Sequence, residues 1–156
     1  MTTKILEILR SEGALSDSTG RLVYNYMKRW NISGYTALLD THIFNEAYLA
    51  DILARTLRIV RIYNVLSIGT NSEICALLPY KEAISRCCMP INWVGNGKDT
   101  VEILFCDPTD DTNIEEVKKI MDCNLSLAVA ERSEIIDAIN NGYPIEFQIP
   151  EIGEQW

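Results

Sequence analysis

The sequence has a single histidine, His42, and no Cys-x-x-C spacing among its five cysteines. That scarcity argues against a zinc site, which needs clustered Cys and His ligands at short spacings. No apolar run approaches the ~20 residues a membrane-spanning helix requires. Basic residues are outnumbered, 14 Lys and Arg against 22 Asp and Glu, for a formal net charge of −8. Such a balance argues against general affinity for nucleic acid or anionic membrane, because both are polyanions. An odd cysteine count without regular spacing or a signal peptide reads as reduced thiols in a cytosolic protein. The vicinal pair Cys87-Cys88 is a candidate redox couple, and burial as small hydrophobes is the plainer reading of both.

What is present is a globular composition, 47% hydrophobic and 23% charged over 156 residues. The length suits one average domain or two small modules. Charge divides unevenly. Residues 1–78 hold 8 basic and 7 acidic side chains, whereas residues 79–156 hold 6 and 15. The break, near Leu78-Pro79, suggests two modules.

Apolar spacing predicts helices over 3–12, 17–30 and 35–40, and from Glu46 under an Asn45 cap. In the second of these the apolar side is Leu22, Val23, Tyr26, Met27 and Trp30, for which core packing is the default. Leu57 to Ile62 is β-branched enough to leave the helix as a strand. Ser72 to Arg86 reads as a helix that Pro79 must bend or restart. Met89–Val94 and Thr100–Cys106 read as strands around a Gly95-Asn96-Gly97 hairpin turn. A helix near 113–121, a strand from Asn124 to Ala130 and a helix from Glu131 to Asn140 follow. The expected class is α+β, an N-terminal helical bundle followed by a small α/β sandwich with a mixed sheet. The expected divisions are a helical subdomain at 1–68, an α/β subdomain at 69–142 and a linker-like tail at 143–156.

No catalytic set emerges. A P-loop read through Gly97-Lys98 fails, since Asn92 stands where its first glycine belongs and Asp99 follows the lysine. Asp107, Asp110 and Asp111 could hold a divalent cation, but the EF-hand pattern is missing, and helix capping with solvation explains them better. His42 has no Ser or Cys partner at a useful spacing. Arg55, Arg58 and Arg61 recur every third residue and would form a basic stripe if one helix ran through all three. With Tyr26 and Trp30 they are the candidate partner-binding residues. No catalytic residue, cofactor or metal ligand is assigned.

The order of segments carries a resemblance. Glu46-Ala47-Tyr48-Leu49-Ala50-Asp51-Ile52-Leu53-Ala54 precedes Leu77-Leu78-Pro79-Tyr80. Met89-Pro90-Ile91 and then Phe105-Cys106-Asp107-Pro108-Thr109-Asp110 follow, before the closing strand and helix from Ser126 to Ile139. This resembles the N-terminal domain of the type II secretion and type IV pilus assembly ATPases. The resemblance implies a non-catalytic, cytoplasmic adaptor that docks an ATPase to the cytoplasmic part of an inner-membrane platform protein. It would sit at the bacterial inner membrane through that partner, without inserting or binding nucleic acid. The chain has no Walker motif, so a C-terminal ATPase domain would belong to a parent chain. Some members of the family bind cyclic di-guanylate through an Arg-Leu-Gly start and a second glycine. Here Ile32-Ser33-Gly34 stands at the first place and Thr41-His42 near the second.

Overall fold

Side-chain caps and short apolar rows build the first half of the chain. The computed structural model describes residues 3–69 and 71–148. Helix α1 (Lys4–Ser11) buries Ile5, Leu6 and Leu9. Helix α2 (Asp17–Trp30) starts under Ser16, whose Oγ accepts the Thr19 N–H at 3.2 Å. Helix α3 (Gly34–Asp40) starts under Ser33, whose Oγ accepts the Thr36 N–H at 3.1 Å. Helix α4 (Glu46–Leu57) starts under Asn45, whose Oδ1 accepts the Tyr48 N–H at 2.8 Å. Each cap satisfies an otherwise orphaned donor of the first turn, worth about 1 kcal/mol. α1 and α3 touch at Gly34, where a Cβ would lie 2.8 Å from Ile5 Cγ2.

The apolar side expected for α2 is split by the structure. Val23 and Met27 are buried together with Gly20, but Leu22 and Trp30 are 69% and 59% exposed. Residues 20, 23 and 27 share one face at helical spacing, and residues 22, 26 and 30 form a neighbouring row. α2 packs on α1 and α3, with the first row buried and Tyr26 of the second partly buried against the core.

The expected basic stripe does not form as a helical row. α4 ends at Leu57 because Arg58 takes a left-handed conformation with φ 57°. The chain then enters the short strand β1 (Val60–Arg61). After a 3₁₀ turn at Val65–Ser67, the helix expected over 72–86 is two, α5 (Ser72–Cys75) and α6 (Tyr80–Arg86). Pro79 caps α6, with φ −57°. Its missing N–H makes it a poor interior residue and a good one at a helix start.

Strands β2 (Cys88–Trp93) and β3 (Thr100–Phe105), helix α7 (Asp111–Met121), strand β4 (Asn124–Val129), and helices α8 (Arg132–Gly142) and α9 (Ile145–Gln148) complete the order. The sheet runs β1-β4-β3-β2. β1, β4 and β3 are parallel, and β2 is antiparallel to β3. The sheet is therefore mixed and the fold α+β, as expected. Pro90 is tolerated in β2 because that strand is an edge, where one row of N–H groups needs no partner. α8 packs on β2 and β3, and α4 packs on β1 and β4.

One core runs through helices and sheet, from Ile5, Leu38 and Leu53 to Phe105, Val129 and Ile139. β1 carries the first half onto the sheet, pairing Val60 with Ala128 and Arg61 with Val129. The Arg61 side chain is 8% exposed and meets Asp51 at 2.7 Å and Glu131 at 3.5 Å. In the expected tail, Tyr143 is buried and its hydroxyl donates to the Leu78 carbonyl at 2.9 Å. Residues 149–156 of that tail lie outside the described residues.

Helices α2, α4, α6 and α7 each end on a non-glycine residue with positive φ: Asn31, Arg58, Cys87 and Asp122. Asp122 is the least comfortable, because its carboxylate also sits at the negative end of the α7 dipole. Asp122→Gly is expected to raise stability by about 1 kcal/mol, read as a higher urea midpoint. An unchanged or lower midpoint would contradict this account of the helix end.

Candidate functional site

Parallel β3 and β4 are in register up to Phe105 and Val129, so both chains leave the sheet at the same level. A cleft of about 560 Å³ opens there. The β3 exit contributes Cys106, Asp107 and Asp110, and the start of α3 contributes Ser33, Tyr35 and Thr36. The end of α6 adds Arg86 and Cys87, and the start of α8 adds Arg132. The carboxyl ends of parallel strands are the usual place for ligands in such sheets.

Two arginines dominate its polarity, and carboxylates restrain both. The Arg86 Nε donates to Glu82 at 2.7 Å, and its Nη1 donates to Asn113 Oδ1 at 3.0 Å and to Glu116. Bonds to Glu82 and Glu116 raise its pKa further above the ordinary arginine value. Arg132 lies 4.0 Å from Glu46 and 6.0 Å from the centre of the Tyr35 ring. Glu46, the first residue of α4, also accepts the Ser133 N–H at 2.7 Å and so caps α8 from a distant part of the chain.

The Tyr35 hydroxyl is buried and has no hydrogen-bond partner among the described residues. Burial is the main cause of its raised pKa. Asp107 keeps some surface at the cleft mouth, but its carboxyl group is packed deeply enough for desolvation to raise its pKa. Thr109 opposes that shift, donating its N–H to Asp107 Oδ1 at 3.0 Å and its hydroxyl at 2.5 Å. Asp110 is engaged in capping α7, its Oδ1 accepting the Asn113 N–H at 3.1 Å. The acidic loop thus does the capping expected of it.

The thiols at and beside the cleft differ in exposure, Cys106 and Cys88 being buried and Cys87 half-buried. Cys106 is pushed well above the ordinary thiol value by its hydrogen bond with Cys87 and by burial, and burial pushes Cys88 up to about 12. A protonated thiol is a weak nucleophile. The half-buried Cys87 is the one of the three that a solute in the cleft can reach most readily.

The candidate partner-binding residues lie outside this cleft. Arg55 and Arg58 are exposed near the end of α4, while Arg61 is enclosed by its two carboxylates. Tyr26 and Trp30 adjoin on α2 with ring centres 6.3 Å apart. Sequence reasoning missed Tyr35, Arg86 and Arg132 as site residues. Their available signal was position: Arg132 follows a strand, Tyr35 follows the Ser33 cap, and Arg86 ends the helix before β2.

The family model described as the MshEN domain matches residues 67–148, more than half of the chain. The chain belongs to the MshEN domain family. The type IV pilus assembly ATPase PilB of Myxococcus xanthus (strain DK1622) is 24% identical over 143 residues. That match takes in 92% of this chain and 25% of PilB, so the chain spans a quarter of that relative's length. A solved structure of MshE with cdg superposes with a TM-score of 0.68 at 22% identity, covering 91% of this chain and all of that one. The N-terminal domain of XpsE gives a TM-score of 0.69 at 21% identity, with coverage of 91% and 95%. The two structural likenesses concern the fold. Together with the family match, they relate this MshEN domain to the N-terminal domains of secretion and pilus ATPases.

Asp107 yields a pH test. Its folded pKa is raised, so the ionised form destabilises the fold above that pKa, and the penalty disappears below the unfolded value. Asp107→Asn keeps an oxygen for Thr109 and removes the charge. Its stability relative to the parent is expected to climb as pH rises through the carboxylate range. Urea midpoints of both proteins at several pH values measure this, and a pH-independent difference would contradict it.

Proposed function

We propose that this MshEN domain is the non-catalytic adaptor of a type II secretion or type IV pilus ATPase. It docks the motor to the cytoplasmic part of an inner-membrane platform protein. It works in the cytoplasm, peripheral to the inner membrane through that partner, with the ATPase domain in the same parent chain. The observation that carries this reading is the family match, joined to an uncovered apolar row on α2. Leu22, Tyr26 and Trp30 follow one another at four-residue spacing, and two of the three are largely exposed. Arg21, Lys28 and Arg29 flank the row on the same helix. Aromatic and arginine side chains dominate binding hot spots. Arg55, on α4, and Arg58, in the turn that ends it, are exposed and belong to the proposed surface, whereas Arg61 supports it by pairing with Asp51 of α4.

The test is a pull-down with the cytoplasmic domain of the platform protein from the same organism. Trp30→Ala is expected to weaken binding about tenfold or more, the loss typical of a hot-spot aromatic. Lys118→Glu, on α7, is expected to leave it unchanged. Absence of binding, or a larger effect from Lys118→Glu, would overturn the docking assignment.

A second reading is favoured by the unpartnered Tyr35 hydroxyl in a cleft holding two arginines. It is that the cleft senses cyclic di-guanylate, which a structural neighbour carries as MshE with cdg. Ile32 in place of the family's arginine removes a bidentate phosphate donor. His42, near the place of the family's second glycine, has a left-handed backbone with φ 58° and brings a side chain there. Calorimetry with micromolar cyclic di-guanylate separates the readings. Heat that is lost in Arg132→Ala supports sensing, and a flat trace for the parent chain removes it.

A further inference from the structure

The cysteine pair suggested by sequence, Cys87 with Cys88, is divided by the structure. Cys88 is fully buried in the core at the start of β2, while Cys87 is half-buried and lines the cleft. The neighbour of Cys87 is instead Cys106. β2 and β3 pair Cys88 with Phe105, so one step further the antiparallel register sets Cys87 opposite Cys106. The Cys106 N–H donates to the Cys87 carbonyl at 3.4 Å, which continues the ladder beyond the last assigned pair. Both side chains line the cleft.

We propose that Cys87 and Cys106 form a reversible disulfide on the wall of the cleft when a peroxide reaches it. Cys87 leaves the strand pair in a left-handed turn, yet its carbonyl still meets the Cys106 N–H at 3.4 Å, which keeps the two backbones adjacent, as a disulfide with its Cα span of roughly 4.4–6.8 Å requires. The half-buried Cys87 meets the oxidant first. Its sulfur bonds to one peroxide oxygen as the O–O bond breaks, and the thiol proton leaves with the other oxygen as water. The Cys106 sulfur then attacks the resulting sulfenic acid. The S–S bond forms as the S–O bond breaks, and the second thiol proton leaves with that oxygen as a second water. Two thiols are thereby oxidised by two electrons, and one peroxide is reduced to two waters. A thiol reductant reverses the step by exchange. Oxidation also removes the Cys87 S–H that donates to the Arg132 carbonyl at 4.0 Å. The crosslink therefore changes a contact at the start of α8 as well as tying the end of α6 to the exit of β3.

The test is titration of the intact chain with hydrogen peroxide, followed by thiol counting and peptide mapping. The chain is expected to lose two of its five free thiols. Trypsin should then join the fragment beginning at Cys87 to the fragment containing Cys106, and dithiothreitol should separate them. Because Cys88 shares the first fragment, Cys88→Ala identifies the partner. The crosslink persists in Cys88→Ala and disappears in Cys87→Ser, with both variants checked for native circular dichroism. Fragment-ion sequencing of the crosslinked parent peptide assigns the sulfurs even if a variant fails to fold. A Cys87–Cys88 or Cys88–Cys106 bond, an intermolecular dimer, or oxidation of Cys87 without a crosslink would each overturn the proposal.

Discussion

The cleft, and the attachment of the helices to the sheet, depend on the pairing of β4 with both of its parallel neighbours. β4 takes β3 on one side and β1 on the other, with Val129 opposite both Phe105 and Arg61. Leu104-Phe105 and Ala128-Val129 are consecutive buried residues, so both faces of the sheet are covered here, and a slip of one residue would force side chains of the wrong size into two packed faces. Register is thereby fixed at the level where the chain leaves the sheet. Cys106 and Asp107 emerge beside Ala130, Glu131 and Arg132, and the α8 start comes to face the α3 start. A small cluster of polar groups is held in place by strands that themselves carry almost no polar side chains there.

Ion pairs close the joints that this pairing leaves open. Arg61 on β1 joins Asp51 of α4 to Glu131 at the β4 exit. Arg86 at the end of α6 joins Glu82 of its own helix to Glu116 of α7. Arg132 approaches Glu46, which has already capped α8. Exposed pairs of this kind contribute little, but Arg61 is almost fully covered, and removing one partner there would strand a charge. The excess of acid in the second half therefore has an internal share. Glu82, Glu116 and Glu131 are committed to arginines, so formal charge overstates the potential that this half presents to a partner.

The helices, the strand order along the chain and the caps were legible from local signals. Ser16, Ser33, Asn45 and Asp110 cap the helices that follow them, and Pro79 marks a real helix start. Those signals act within one turn, and local reading captures them. The destination of a helix face depends on what packs against it. Leu22 and Trp30 carry the same apolar signature as Val23 and Met27, yet only the latter two are buried. The basic triplet failed as a stripe because Arg58 ends α4 in a left-handed turn, an event with no glycine to announce it. The vicinal cysteines part company, because Cys88 enters the core at the start of β2 while Cys87, in the left-handed turn that ends α6, lines the cleft. The cleft was least legible, because its lining is drawn from α3, α6, the β3 exit and α8.

Two groups in that cleft work against stability. The Tyr35 hydroxyl is buried without a partner among the described residues, a loss of about 1–3 kcal/mol for a group of this kind. Asp107 is desolvated enough for its proton to be held more tightly in the folded protein. Neither is required by the sheet, whose buried residues at this level are apolar. Phenylalanine would fill the ring space of Tyr35, and asparagine would serve Thr109. Paired on one wall with Arg132 between α3 and α8, they make this cleft unlike the rest of the surface. The α2 row is apolar surface left uncovered, which suits a protein partner, whereas here polar groups are left short of partners. The two kinds of surface lie on different elements, Leu22 and Trp30 on α2 and Tyr35 with Arg132 at the starts of α3 and α8.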